Sequence, residues 1–251
     1  MKPSTIQVSK KIITALAVAL FWIGVWYIVA LAVNQELLVP TPALTLKTLF
    51  DLAATGEFWL NVLFSTLRII EGFLIGVAVG IAGGYLSAKS RIINILCSPI
   101  LHLARAVPVV SFILLAFVWI KTNGISVFIT VLMVAPIIWE TVRSALCGID
   151  RSLVEMGQVF SLSPREILLK IKLPQIIPAF LTACTSALGL AWKAGIAAEY
   201  ICHPKQSVGV MLYNAKTYLE TAETFALTIG VVLISFGLEL LVKYTTRRWR
   251  V

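Results

Sequence analysis

The chain has 251 residues, of which 59% are apolar and only 13% are charged. Its mean hydropathy of +0.93 excludes an ordinary soluble globular domain and indicates that lipid forms part of its solvent. The net charge of +9 does not indicate nucleic-acid binding, because the basic residues form short clusters beside apolar runs rather than one polar face.

Apolar runs of about 20 residues, the length that crosses a bilayer core roughly 30 Å thick, recur along the chain. Six are predicted to be transmembrane helices: Ile12 to Val33, Val62 to Ala88, Ile100 to Ile120, Ile125 to Val142, Ile177 to Ala198 and Phe225 to Val242. The predicted fold is an all-α polytopic membrane protein. Residues 1–11 are expected to form a cytoplasmic N-terminal segment and residues 12–251 a single transmembrane domain.

Six crossings place both termini on one side of the membrane, and the positive-inside rule selects the cytoplasm. The inner segments then carry Lys2, Lys10, Lys11, Lys89, Arg91, Arg143, Arg151, Arg165, Lys170, Lys172, Lys243, Arg247, Arg248 and Arg250. The outer segments carry only Lys47, Lys121, Lys205 and Lys216.

The second predicted span contains glycines at strict four-residue spacing, at Gly72, Gly76, Gly80 and Gly84. This spacing places four missing side chains along one ridge of a helix, where another helix backbone can approach closely. The alternative is that the glycines only make the helix flexible. We predict tight helix packing, either within one subunit or between subunits.

The longest cytoplasmic segment, about residues 143–175, is predicted to contain two short helices. Start signals for them are Asp150 or Ser152, with the S-x-x-E spacing of a capping box from Ser152 to Glu155, and then Ser163 with Pro164 and Glu166. Pro174 is expected to end the second helix, because the residue before a proline is disfavoured in helical geometry.

The first of these helices carries an apolar stripe, formed by Leu153, Met156 and Phe160. The stripe requires a surface that covers it. From periodicity alone, packing against the inner ends of the chain's own spans and docking of another protein are equally good explanations.

The same segment resembles the cytoplasmic loop of permeases from binding-protein-dependent ABC importers. Their loop carries E-A-A, three residues, G, nine residues and I-x-L-P; this chain has Glu155-Met156-Gly157, Ser161 and Ile171-Lys172-Leu173-Pro174 at the same spacing. Met156 and Gly157 replace the two alanines, and Ser161 replaces the glycine. The resemblance implies that an ATP-binding subunit contacts Leu153, Glu155, Met156, Gly157, Phe160 and Ser161.

Shorter pieces resemble the nitrate, sulfonate and taurine branch of these permeases. They are Val39-Pro40-Thr41-Pro42, Ser65-Thr66-Leu67-Arg68 with Gly72-Phe73, Gly189-Leu190-Ala191-Trp192, and Ala197-Ala198-Glu199 followed by Gly209. The resemblance implies the transmembrane domain of a type I ABC importer in a bacterial-type cytoplasmic membrane. It further implies two permease subunits, expected to be identical copies, two ATP-binding subunits and an external solute-binding protein.

The sequence contains no G-x-x-x-x-G-K-[ST] phosphate loop, so we expect ATP hydrolysis in a partner subunit. No nucleophile, base and orienting group cluster in the sequence. Cys202 and His203 are too few ligands for a metal ion, so no catalytic, cofactor or metal site is expected. A membrane channel or an enzyme embedded in lipid is the alternative from another class.

Charged residues within spans are costly and mark candidate pathway positions. Arg68 and Glu71 have the spacing of an intrahelical pair. Lys193, beside Trp192, either faces an anionic solute or reaches for Glu199. The family branch, together with Arg68, Arg105 and Lys193 against Glu71 and Glu140, favours a small anion such as a sulfonate, taurine or nitrate. The alternative cargo is a thiamine-pyrimidine precursor, which similar permeases carry.

Overall fold

The structure is a computed structural model that describes residues 5–246. All regular elements in this range are helical, which confirms the predicted all-α class. In chain order they are α1 (Thr5–Val33), α2 (Pro42–Ala53), α3 (Gly56–Lys89), α4 (Arg91–Ala106), α5 (Val109–Ala116), α6 (Thr122–Cys147), α7 (Arg151–Val159), α8 (Pro164–Ile167), a π-helical turn (Leu168–Lys172), α9 (Leu173–Cys202), α10 (Val208–Thr217) and α11 (Thr221–Thr246). Lys2, Arg247, Arg248 and Arg250, which entered the orientation argument, lie outside the described residues.

Five helical segments of the described chain are long and apolar enough to cross a membrane: α1, α3, α6, the run from α8 through α9, and α11. The pair α4 and α5 is a sixth candidate, bent by 103° at the break between them. The expected continuous helix from Ile100 to Ile120 is therefore wrong. Val107 precedes Pro108 and adopts extended backbone angles, φ −77° and ψ 134°, which ends α4.

The second helix predicted in residues 143–175 also differs from its prediction, because Pro174 does not end it. The helical path continues from α8 through the π-helical turn into α9, where the amide of Leu173 donates to the carbonyl of Leu168, five residues earlier. Pro174 lies in the first turn of α9. A proline is tolerated there because the π-helical turn just before it already interrupts the regular hydrogen-bond register.

The chain divides into two compact units, the first of which comprises the residues up to Trp59 together with Met211–Val231. Within it, the indole of Trp26 donates to the carbonyl of Pro40 at 3.1 Å and stacks on Phe225, with ring centroids 5.8 Å apart. The hydroxyl of Thr221 donates to the carbonyl of Leu37 at 2.6 Å. These contacts fix the proline-rich segment that follows α1.

The second unit comprises Leu60–Val210 and the residues from Val232 onward. In it, the glycine ridge of α3 lies directly against α6. A Cβ atom at Gly72 would lie 2.7 Å from Cβ of Thr130, and one at Gly80 would lie 2.6 Å from Cβ of Ile138. Gly76 and Gly84 meet α6 in the same way. The four glycines therefore allow a contact within one chain that no other residue fits.

The third helix of this core is α9. Its Gly195 faces Ile69 of α3, and a Cβ there would lie 2.6 Å from Cγ1 of that residue. The hydroxyl of Ser126 in α6 donates to the carbonyl of Gly195 at 3.3 Å. Buried apolar residues of α5, α6 and α9 fill the space beside this contact: Ile113, Ala116, Ile125, Ile129, Met133, Ala194, Ala198 and Cys202.

Replacing Gly80 with alanine should destabilise the protein by about 1–3 kcal/mol, since the added methyl group collides with the β-carbon of Ile138. Gly237 is the matched control, because a Cβ there has no atom within 4 Å. Gly237→Ala should leave stability unchanged or raise it, as alanine is the better helix former. Thermal unfolding of the purified full-length variants in detergent measures both. Equal melting temperatures for the two variants would contradict this packing.

Candidate functional site

The α7 helix begins at an aspartate cap. Asp150 is the N-cap residue, and its carboxylate accepts from the amide of Ser152 at 2.9 Å and from the hydroxyl of Ser152 at 2.6 Å. These bonds lower the pKa of Asp150, the side-chain hydroxyl contributing most. The alternative start, a capping box from Ser152 to Glu155, is wrong, because the hydroxyl of Ser152 is used to bind Asp150.

The C-terminal end of α7 is closed by a Schellman motif. The amide of Ser161 donates to the carbonyl of Gln158 at 2.9 Å, and the amide of Leu162 donates to the carbonyl of Gly157 at 3.0 Å. Ser161 lies at φ 56°, in the left-handed region that favours glycine. This conformation accounts for the glycine that the resembling permeases carry at the equivalent position.

Gly157 is buried, and it contacts its own chain. A Cβ atom here would lie 2.8 Å from Cδ1 of Ile171 and 3.4 Å from Cγ1 of Ile167. The expectation that Gly157 contacts an ATP-binding subunit is therefore not supported by its placement. Its small size instead lets α7 lie close to the π-helical turn.

The face of α7 that carries the apolar stripe is open. Leu153 is 39% exposed, Met156 49% and Phe160 72%. The structure adds Val159, which is 82% exposed and which the stripe spacing missed. Packing against the chain's own spans, one of the two alternatives that periodicity left open, thus leaves much of the stripe uncovered.

Glu155 lies in a groove of about 510 Å³ beside α7. The groove is lined by Ala88, Leu146, Cys147, Ile149, Arg151, Val154, Glu155, Gln158 and Lys172. After α7, the predicted cap at Ser163 is confirmed: its hydroxyl accepts from the amide of Glu166, whose carboxylate accepts from the amide of Ser163 at 3.0 Å. The loop thus has a defined helical structure from Asp150 to α9.

A second polar cluster lies near the C-terminal end of α9. The guanidinium of Arg68 in α3 donates to the carboxylate of Glu199 at 2.7 Å, and the Glu199 side chain is fully buried. Ser65 donates to the other oxygen of that carboxylate at 2.5 Å. The expected pairing of Arg68 with Glu71 is wrong, because the partner comes from a different helix.

The same cluster holds the loop that follows α9. Arg68 donates to the carbonyl groups of Lys205 at 2.6 Å and Gln206 at 2.9 Å. The hydroxyl of Ser65 accepts from the amide of Val208 at 2.9 Å. Gly209 packs directly against the backbone and Cβ of Glu199, where no side chain fits. Ser65 and Arg68 thus contact Glu199, on which Gly209 packs. These residues come from separate stretches of sequence that each resemble the same permease branch.

A cavity of about 730 Å³ opens beside this cluster. It is lined by Phe64, Arg68, Glu71, Asn123, Gly124, Val127, Phe128, Lys205 and Gln206. Trp192, by contrast, is buried in the core at 1% exposure. Lys193 is exposed on the surface of α9. It does not pair with Glu199, which is bound by Arg68.

The profile of one protein family, the binding-protein-dependent transport system inner membrane components, matches residues 72–251. This match covers well over half of the chain. The chain belongs to that family. The predicted function as an ABC importer permease, located in the inner membrane, is thereby confirmed.

Curated relatives of this permease span nearly the whole chain. A putative ABC transporter permease protein of Methanocaldococcus jannaschii is 25% identical over 94% of this chain and 90% of its own length. The taurine transport system permease protein TauC of Escherichia coli is 27% identical over 98% and 90%. The putative aliphatic sulfonates transport permease protein SsuC of Bacillus subtilis is 26% identical over 85% and 76%.

Solved structures support the permease fold. A chain of the MetNI methionine ABC transporter in an inward-facing conformation matches with a TM-score of 0.57 at 17% identity, covering 76% of this chain and 93% of that chain. A chain of a bacterial alginate ABC transporter matches with a TM-score of 0.58 at 13% identity, covering 98% and 96%. The predicted type I importer architecture is therefore confirmed.

The charge argument for an anionic cargo left out two buried or half-buried carboxylates. Glu199 lies within α9, and Glu239 lies within α11 beside Gly189, where it pairs with Lys243 at 3.4 Å. Each of the two has a cationic partner, Arg68 for Glu199 and Lys243 for Glu239. Glu239 stood inside the predicted last span, so the sequence contained the signal.

Removing Arg68 should leave a buried carboxylate without its cation. We expect Arg68→Met to destabilise the permease by about 3–5 kcal/mol, and Arg68→Met combined with Glu199→Gln to cost less than the sum of the single changes. Glu71→Gln is the matched control, since Glu71 is exposed on the same helix, and it should change stability by about 0.5 kcal/mol or less. Thermal unfolding in detergent gives the double-mutant cycle. Strictly additive losses would show that the two side chains do not interact.

Proposed function

We propose that this permease forms the translocation pathway for a small anion and is driven by separate ATP-binding subunits that dock on α7. The exposed apolar face of α7 is the observation that carries the proposal. Leu153, Met156, Val159 and Phe160 are 39–82% exposed on a helix that lies outside the candidate spans. Exposed apolar patches of this kind on a solvent-facing protein surface mark interaction sites.

The docking surface that we propose consists of Leu153, Met156, Val159 and Phe160, with Glu155 and Ser161 at its edges. Aromatic and methionine side chains are enriched at the centres of protein interfaces, where a few residues supply most of the binding energy. Phe160 is the candidate centre, because it is the largest of these side chains and is 72% exposed. Gly157 is left out, since it contacts Ile171 of its own chain.

Phe160→Asp should release the ATP-binding subunit, because a carboxylate cannot be buried in an apolar contact without a partner. We expect the amount of copurified ATP-binding subunit to fall by about tenfold or more. The control is Phe160→Leu, which keeps an apolar side chain and should retain most of the subunit. Copurification from membranes and ATP hydrolysis by the complex are measured together.

Membrane levels of the permease should be equal in both variants, since Phe160 contributes little to the buried core. Normal copurification and hydrolysis in Phe160→Asp would reject α7 as the docking surface. Loss of the ATP-binding subunit together with reduced permease levels would show that Phe160 is needed for folding, and would also contradict the proposal.

We further propose that the permease works as two identical subunits with an external solute-binding protein, and that both termini lie in the cytoplasm. Support for the second subunit comes from the exposed residues of α9. Five of them fall on one stripe of the helix: Thr182, Ser186, Leu190, Lys193 and Ala197. Three of these five residues are polar, Thr182, Ser186 and Lys193. The exposed positions of α1, by contrast, include Leu16, Leu20, Phe21, Trp22 and Ile28.

Polar and charged side chains are costly toward lipid and usually face a bundle interior or a watery cavity. The α9 stripe therefore suits a pathway between two permease copies, and α1 suits lipid. Lys193 is the one cation of this stripe. With Arg68 occupied by Glu199 and the loop carbonyl groups, Lys193 replaces Arg68 as the main candidate for contact with the solute.

The relatives named for taurine and aliphatic sulfonates support a cargo that carries an anionic sulfonate group. Both kinds of solute carry a sulfonate group, to which an ammonium group can form a charge-assisted hydrogen bond. Glu71 remains a candidate pathway residue through the cavity that it lines, whereas burial makes Trp192 a packing residue of the pathway wall.

Lys193→Met should reduce uptake of a sulfonate by about tenfold or more, the value of a hydrogen bond to a charged group. Lys193→Arg keeps the positive charge and is the control that should retain uptake. Radiolabelled taurine and methanesulfonate are supplied to cells that contain the complete importer. Absence of uptake of either compound by the unaltered importer would reject the cargo class, whereas equal uptake by Lys193→Met would remove Lys193 from the pathway.

A further inference from the structure

Gln175, in the first turn of α9, joins two segments of the loop that connects α6 to α9. Its side-chain carbonyl accepts from the amide of Asp150, the N-cap of α7, at 3.1 Å. Its side-chain amide donates to the carbonyl of Ile171 in the π-helical turn at 3.1 Å. One amide side chain thus uses both its acceptor and a donor to hold the start of α7 beside the base of α9.

The chain between these ends is internally fixed. Gly157 lies against Ile171 and Ile167, the Schellman motif closes α7, and the Ser163 cap starts α8. Ile171 therefore contacts the middle of α7 through its side chain, while its carbonyl group is held by Gln175. The loop from Asp150 to Gln175 is thus held to the helical run of α9 at two points. One is the hydrogen bond from the Asp150 amide to Gln175, and the other is the packing of Ile171 on Gly157.

The helix at the end of this unit is longer than a membrane crossing needs. Pro164–Cys202 is a continuous helical run of 39 residues, about 58 Å at 1.5 Å per residue. A bilayer core is about 30 Å thick. The run is therefore about 28 Å longer than the core, and Gln175 lies within its first half.

We propose that Gln175 is a positioning residue that ties the N-terminal cap of α7 to α9, so that both helices move as one body. The proposal rests on the proposed function, in which α7 receives the ATP-binding subunit. Movement of that subunit then reaches the span through two contacts, the hydrogen bonds of Gln175 and the packing of Ile171 on Gly157. Without Gln175, the start of α7 can move while α9 stays in place.

Hydrogen exchange in the full-length permease tests the physical link. Gln175→Leu retains the size of the side chain but removes the acceptor for the Asp150 amide. Exchange of the peptide that contains Asp150 should become about 2- to 10-fold faster, the range expected for one hydrogen bond. Gln158→Leu is the matched control, since Gln158 is an exposed glutamine of α7 itself. Equal exchange in Gln175→Leu and Gln158→Leu would overturn the link.

The role in coupling needs a readout that local stability does not change. A single cysteine at position 123, in the cavity beside Arg68, is introduced by Asn123→Cys after Cys97, Cys147, Cys184 and Cys202 are replaced by serine. Labelling by an impermeant maleimide is compared in the complex with and without MgATP and vanadate. With Gln175 present the nucleotide should alter the labelling rate, and with Gln175→Leu this effect should fall to less than about half.

Copurification of the ATP-binding subunit with Gln175→Leu should stay normal, because Gln175 lies outside the docking surface. An undiminished nucleotide effect in Gln175→Leu would overturn the positioning role. Failure of the ATP-binding subunit to copurify even with the unaltered loop would instead reject the proposed function. Gln175→Glu keeps the acceptor for the Asp150 amide but loses the donor to Ile171. Compared with Gln175→Leu, it should therefore restore slow exchange of the Asp150 amide but restore less of the nucleotide effect on labelling.

Discussion

Close approach of α3, α6 and α9 is the constraint on which the membrane-embedded unit depends. Thr130 of α6 lies between Gly72 of α3 and Gly195 of α9, and neither glycine has room for a side chain. In lipid no hydrophobic force drives helices together, so packing at such short distances supplies the association. Ile69, which faces Gly195, also places Arg68 within reach of Glu199, one turn beyond that glycine. The ion pair thus depends on the glycines.

The motif from Glu155 to Pro174, which the permease family shares, has a different physical basis at each of its positions. Gly157 is small because Ile171 packs on it, and the position of Ser161 requires a left-handed backbone. Pro174 fits because it closely follows the π-helical turn, where the regular hydrogen-bond register is interrupted. These three positions serve the folding of the loop itself. The open face between them, around Met156 and Phe160, is what the folded loop presents to a partner.

Local signals predicted much of this structure. Apolar runs located α1, α3, α6, α9 and α11, and the Ser163 cap depends on residues only three positions apart. The break at Pro108 has a local signal too, the proline itself, but the apolar run continues across it. The partner of Arg68 could not be predicted, because Glu199 is 131 positions away and Glu71 offered the same chemistry at helical spacing. Burial of Gly157 likewise depends on a contact with a later segment.

The two polar ends of α9 give the helix a role that neither end has alone. At one end Gln175 and Ile171 attach it to α7, and at the other Glu199 attaches it through Arg68 to α3 and to the loop carbonyl groups of Lys205 and Gln206. A helix resists compression along its axis because each turn is hydrogen-bonded to the next. Under the coupling that we propose, displacement of α7 reaches the loop of Lys205 and Gln206 unless the helix bends at the π-helical turn, where the hydrogen-bond register changes. Gln175 lies three residues after that turn, and its side-chain amide donates to the carbonyl of Ile171 within the turn. This hydrogen bond stiffens α9 at the position where the helix would otherwise bend.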